Sequence, residues 1–184
     1  MQNIGEITDR ELVWRKPRSL KEEYELHAGD DVAATLHWPR SYGSLAEAAA
    51  EGGSWTFKRS GFWRVRATIR TAGSDADIAV FDPRWTGDGA LTFATGATYR
   101  WERAHFWGSR YEWRNTENEP LVRFATKAGL LRTEAAVELE PAARALPELQ
   151  LLTLFGWYLL VMGIRDSSAA GAGAAAAGAA ASSS

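Results

Sequence analysis

PELQLLTLFGWYLLVMGIR, Pro147 to Arg165, is apolar on every side. A helix without a polar face must sit in lipid or inside protein, so this stretch leaves the chain few architectures. Its center, Leu149 to Ile164, holds sixteen residues, of which only Gln150 and Thr153 are polar. At ~1.5 Å per residue it reaches ~24 Å, short of the ~30 Å hydrocarbon core of a bilayer. Glu148 and Arg165 close its two ends, and each charge suits the pole of the helix dipole that it meets. Only Arg144 stands close upstream, where a membrane anchor favors a cluster of Lys and Arg. A helix over 149–164 buried in protein is therefore expected, with a C-terminal tail anchor as the rival reading. Gly156 and Gly163, seven residues apart and so on one face, would admit a bulky wall residue such as Trp.

What encloses such a helix is read upstream. From about Glu11 to Glu140 the pattern is a two-residue alternation with turn residues between runs. In GFWRVRATIRT, Trp63, Val65, Ala67 and Ile69 fall on one face and Arg64, Arg66, Thr68 and Arg70 on the other. DVAATLHW places Val32, Ala34, Leu36 and Trp38 together, SRYEWRN sets Tyr111 and Trp113 against Arg110, Glu112 and Arg114, and TEAAVELE repeats the scheme. Twelve strands are expected, at roughly 11–17, 22–28, 31–38, 44–49, 53–59, 62–71, 76–82, 89–94, 97–103, 109–115, 119–126 and 132–139. The fourth, in SLAEAAAEG, is the weakest, because alanine and glutamate favor helix. Short connections favor antiparallel pairing of neighbors. WTFKRSGFWRVRATIRT (Trp55–Thr71) also aligns without gaps on YRWERAHFWGSRYEWRN (Tyr99–Asn115), pairing Arg59 with Arg103, Arg66 with Arg110 and Arg70 with Arg114.

A closed sheet of that many strands has an interior too wide for its own side chains to fill, and an apolar helix along the axis would fill it. The predicted fold is thus mostly β: about twelve antiparallel strands in a barrel enclosing one C-terminal hydrophobic α-helix. Residues 1–10 form an N-terminal extension, 11–165 the barrel with its helix, and 166–184, almost entirely Ala, Gly and Ser, a flexible tail.

The strand succession from Leu12 to Leu139, the paired GFWR and HFWG segments and the closing LPELQLLTLFGWYLLVMGI resemble the tubby C-terminal-like superfamily. That group includes the LURP-one-related proteins and phospholipid scramblases, and this chain looks like a small bacterial member. The resemblance covers roughly residues 8–165 and implies a strand barrel threaded by an apolar helix, in a group whose tubby-like domains bind phosphoinositide headgroups through basic wall residues. Here the basic wall is Lys58, Arg59, Arg64, Arg66 and Arg70. The acidic calcium-binding segment that scramblases carry near the helix has no counterpart, since Arg165 and Asp166 lead straight into the tail.

Chemical motifs narrow the expectation further. The chain has no cysteine, so thiol nucleophiles and thiolate metal sites are excluded. His27, His37 and His105 lack metal-ligand spacing, and GSDAD (Gly73–Asp77) reads as a solvated turn. No cofactor, metal or catalytic residue is expected, hence no enzyme. A net charge of -2 provides no field for nucleic acid. The N-terminus lacks a secretory signal, which points to the cytoplasm, with peripheral attachment at the inner membrane face. The expected function is non-enzymatic binding of anionic lipid headgroups or a lipid-like ligand at the barrel surface. The alternatives are a protein-interaction scaffold or homo-oligomer, and a tail-anchored membrane protein. Phe62 and Trp107 mark loop edges where exposed aromatics are expected.

Overall fold

A computed structural model describes residues 1, 3–7, 10–17, 22–61, 65–104, 110–126 and 134–181, with side chains to residue 171. Twelve strands form one closed antiparallel ring in which every strand pairs with its chain neighbors and the last pairs with the first. They are β1 (Leu12–Arg15), β2 (Glu23–Ala28), β3 (Asp31–His37), β4 (Ala46–Ala50), β5 (Gly53–Ser60), β6 (Arg66–Thr71), β7 (Asp77–Pro83), β8 (Gly89–Phe93), β9 (Thr98–Arg103), β10 (Arg110–Arg114), β11 (Pro120–Thr126) and β12 (Ala135–Leu139). Helix α1 (Leu149–Ala181) follows. The expected fold class is the one observed.

The question posed by the apolar run is settled by burial. Leu149, Leu151, Leu152 and every residue from Thr153 to Tyr158 except Gly156 appear in the buried core as side chains, followed by Leu160, Val161 and Met162. Three aromatic residues of α1 reach different sectors of the wall. Trp157 stacks on Trp14 at 5.7 Å and meets the edge of Tyr24 at 5.5 Å. Phe155 packs against Phe57, Phe81 and Trp113 at 5.3, 5.8 and 6.3 Å. Tyr158 stacks on Trp38 at 5.8 Å. Such rings contribute large apolar area and oriented contacts, so the helix is the core of the barrel. Among the described residues, no helix is long and apolar enough to cross a membrane.

Gly156 permits this packing. A Cβ there would lie 2.4 Å from the Phe124 ring and 2.8 Å from Trp113 Nε1, and that indole N–H donates to the Leu152 carbonyl at 2.8 Å. Gly163 behaves differently from the expectation: nothing lies within 4 Å of its Cβ position, because the helix has by then reached the barrel mouth. The helix also continues to Ala181, past the expected end at 164, so the segment read as a flexible tail carries a helical backbone through that residue. Alanine is the strongest helix former, and its propensity outweighs the scattered glycines. The hydroxyls of Ser167 and Ser168 donate to the carbonyls of Gly163 and Ile164.

Strand β4 forms despite its helical composition. Ala46, Ala48 and Ala50 are buried on its inner side while both edges pair, with β3 and β5. Tertiary pairing overrides propensity there. In β3 the alternation fails at one point, and Ala33 rather than Val32 is buried. Ala33 is an extra residue between the pairs Leu26↔Ala34 and His27↔Val32, a β-bulge that shifts the phase.

That bulge recurs. Ile78 is skipped between Ile69↔Ala79 and Arg70↔Asp77, and Leu121 between Trp113↔Val122 and Arg114↔Pro120. The turn preceding each bulged strand holds one left-handed residue: Gly29 (φ 63°), Gly73 (φ 78°) and Asn118 (φ 69°). Every other pairing follows the same rule, for example Trp14↔Leu26, Phe57↔Ile69 and Trp101↔Trp113. Even ring closure obeys it, since Trp14↔Ala135 matches Ala46↔Phe57 and Gly89↔Trp101. The barrel is therefore three equivalent four-stranded units, β1–β4, β5–β8 and β9–β12. The repeat seen in the sequence between Trp55–Thr71 and Tyr99–Asn115 is two-thirds of this symmetry.

Candidate functional site

The two ends of the barrel differ. Helix α1 enters beside the tight turns, where Tyr99 donates to the Glu148 carboxylate at 3.0 Å. It leaves at the opposite end, the mouth, among the connections that join β1 to β2, β3 to β4, β5 to β6 and their counterparts. Several contacts fix its exit. Tyr158 donates to the Ser44 carbonyl at 2.8 Å. The Arg165 guanidinium lies 4.5 Å from the Trp38 ring center and pairs with Glu22 at 3.1 Å. Arg59 grips Asp166 with two hydrogen bonds, of 2.6 and 2.9 Å.

These contacts set the local electrostatics. Hydrogen bonding to Asp166 raises the Arg59 pKa above its ordinary value, against the opposing effect of burial. At Glu22, burial pushes the carboxyl up, but hydrogen bonds from Lys16 and Arg165 outweigh it and the net shift is down. Burial pushes the Tyr158 hydroxyl well above the usual tyrosine range.

The threefold arrangement places an inward-facing cation at the mouth in each unit: Lys16, Arg59 and Arg103, two residues past the large inner aromatics Trp14, Phe57 and Trp101. Opposite them stand Tyr24, Ala67 and Tyr111. Units one and three share a contact: Lys16 lies 5.6 Å from the Tyr24 ring center and Arg103 5.3 Å from that of Tyr111. Unit two has alanine instead of tyrosine. A cavity of about 400 Å³ opens on that side of the helix, bordered by Ala67, Phe81, Trp101, Leu160 and Met162 with Arg59 and Arg103 at its edge.

Around this opening the rim exposes aromatics. Pro39-Arg40-Ser41-Tyr42-Gly43 and Pro83-Arg84-Trp85-Thr86-Gly87 are equivalent loops of units one and two, 44 residues apart. Their glycines share a left-handed backbone, at φ 97° and 88°. Trp85 is 98% exposed and Tyr42 75%, and with Leu45 and Val65 they place four of the five exposed large hydrophobics of the described residues at the mouth. Arg40 and Arg84 are exposed beside them, without a carboxylate partner among the described residues.

The basic wall anticipated from sequence is divided by the fold. Lys58, Arg66 and Arg70 lie on the outer surface, with Arg66 paired to Asp82 at 2.7 Å and Arg70 to Asp77 at 2.5 Å. Asp75 also approaches Arg70, at 3.8 Å, so the GSDAD turn serves as its counter-charge. Arg59 instead turns inward to Asp166, and it and Arg66 border the cavity. Arg64, with Phe62, Trp107 and His105, lies outside the described residues. Sequence reasoning missed Arg103, Ala67 and the two rim loops. The gapless pairing of Arg59 with Arg103 and the PRSYG/PRWTG likeness were the available signals.

His27 is on the outer wall, 2.9 Å from Glu25. Among the described residues no three His, Asp or Glu side chains are placed to hold a metal ion. The mouth can hold an anion next to apolar surface, and it can rest amphipathic rings on an interface. Comparison of the chain with protein families, with curated proteins and with solved structures finds no match.

Proposed function

We propose that the protein is a non-enzymatic binding barrel that meets an anionic lipid surface with its mouth. The observation that carries this reading is the repeated rim loop, which twice presents an exposed aromatic ring beside an arginine. Trp and Tyr rings favor the headgroup level of a bilayer, and an arginine near an anionic surface adds ~1 kcal/mol. The outer-wall arginines fit the role less well, because Arg66 and Arg70 are already paired with aspartates. A distant relationship to the tubby C-terminal-like superfamily is part of the proposal, supported by architecture alone.

Vesicle co-sedimentation tests it. Anionic phosphatidylglycerol vesicles should bind the protein and zwitterionic ones should not, with a blue shift of the emission from Trp85. Removing both Arg40 and Arg84 should weaken binding about thirtyfold, from ~1 kcal/mol at each position. An Arg66→Ala/Arg70→Ala variant should bind as the parent does. Unchanged binding by a Tyr42→Ser/Trp85→Ser variant would end the proposal. A protein-interaction face at the same rim would instead show as self-association in light scattering that Trp85→Ser removes without vesicles.

A further inference from the structure

The cavity beside the helix exit exists because unit two breaks the threefold rule. Tyr24 and Tyr111 place a phenol ring at this level in units one and three, and Ala67 leaves that volume open. Without a ring to cover, Arg59 turns to the helix and spends its hydrogen bonds on Asp166. Arg103 keeps its place at the cavity edge. It donates to the Tyr111 hydroxyl at 2.8 Å and has no carboxylate partner among the described residues. Lys16, its counterpart in unit one, is paired with Glu22 at 2.8 Å. Of the three inward cations, Arg103 is thus the one whose charge is uncompensated.

The cavity has one apolar side and a charged rim, where Arg66, Arg84, Asp88 and Asp166 also border it. Phe81, Trp101, Leu160 and Met162 are all at most 6% exposed and border the space. About 400 Å³ is the size of a small-ligand pocket, which typically combines apolar walls with one or two placed polar groups. A volume of about 400 Å³ is room for one acyl chain and not for two. One free guanidinium matches one carboxylate, which it can hold through two parallel N–H bonds. A phosphate dianion would call for a second free cation beside Arg103; Arg59 is occupied by Asp166, and Arg84, which also borders the cavity without a carboxylate partner among the described residues, stands out on the exposed rim loop.

We propose that this cavity binds a single-chain fatty carboxylate, with its chain against Phe81, Trp101 and Met162 and its head on Arg103. The lipid surface proposed above is the natural source of such a ligand, so the inference takes its supply from that reading. The binding itself does not depend on it.

The test uses lipid-free full-length protein, titrated by calorimetry with dodecanoate, dodecanol and dodecyl phosphate below their aggregation concentrations. Dodecanoate should bind about tenfold to a hundredfold more tightly than dodecanol, the value of a charged hydrogen bond. Arg103→Gln should bring the two within about threefold by weakening dodecanoate alone. Ala67→Tyr rebuilds in unit two the ring that units one and three already carry, and should abolish binding of both while near-ultraviolet circular dichroism stays native. Equal affinity for dodecanoate and dodecanol, tighter binding of dodecyl phosphate, or dodecanoate binding that survives Ala67→Tyr would each overturn the proposal. Absence of dodecanoate binding together with Trp85-dependent vesicle binding would refute this site and leave the membrane reading standing.

Discussion

Alanine substituted for glycine at two positions of the same helix should act with opposite sign. In a helix interior the exchange is favorable by up to ~1 kcal/mol on propensity alone. At Gly156 the new methyl would lie 2.4 and 2.6 Å from Phe124 ring atoms and 2.8 Å from Trp113 Nε1. Neither ring can retreat outward, since both are 0% exposed. Overpacking of a tight core costs ~1–3 kcal/mol. If Trp113 yields, it also breaks its bond to Leu152, and an unsatisfied buried group costs a further ~1–3 kcal/mol. Where Trp113 yields, Gly156→Ala should therefore destabilize by ~1–5 kcal/mol after the propensity gain is subtracted. Gly163→Ala meets nothing within 4 Å and should stabilize by up to ~1 kcal/mol. In a domain of this size that is a rise of ~2–4 °C in melting temperature. Urea and thermal melts followed by far-ultraviolet circular dichroism and tryptophan fluorescence measure both. A Gly156→Ala protein as stable as its parent would refute the threaded packing, because it would mean that the wall does not close on that face of the helix.

Further outcomes follow from single contacts. Trp113→Phe should lower stability by ~1–3 kcal/mol in the same melts, because it removes the indole hydrogen bond to the Leu152 carbonyl and leaves a gap beside Phe155. Asn118→Ala should cost ~1–2 kcal/mol, since φ 69° penalizes a Cβ lacking local hydrogen bonds, whereas Asn118→Gly should cost less, as Gly29 and Gly73 already serve there. Alkali should unfold the protein through its tyrosines. Burial, and then the carboxylates of Glu22 and Glu148, push the Tyr24 and Tyr99 hydroxyls up to about 12 from 10.0. A raised folded-state pKa favors the protonated form, so this stability is whole below pH 10 and declines as pH climbs toward 12. Spectrophotometric titration should show three tyrosines, Tyr24, Tyr99 and Tyr158, ionizing late, and early ionization of all five would contradict the burial.

Much of the architecture was legible in the chain because inside and outside alternate locally. Ala67 and Ile69 face in, and Arg66 and Arg70 face out, as the two-residue period demands. The all-round apolar run around Phe155 could be placed because sixteen such residues are too short for lipid and well matched to a barrel axis. Strand β4 was the hard case, since its alanines carry no β preference and only pairing on both edges holds them extended.

The site was far less legible. Arg59 and Arg66 stand seven residues apart in one hairpin, yet one turns to the helix and the other to the outer wall. Arg103 borders the cavity only because the β8–β9 pairing sets unit three beside unit two, where Ala67 stands in place of the tyrosine of the other units. Sequence period determines the face of each residue, since it depends on backbone geometry over a few positions. The threefold closure and the convergence of the rim loops depend on contacts between segments more than 40 residues apart, as in the closing pair Trp14↔Ala135. No local pattern specifies those, so the tertiary structure alone decided where the mouth is and which of its three inward cations lacks a carboxylate partner among the described residues.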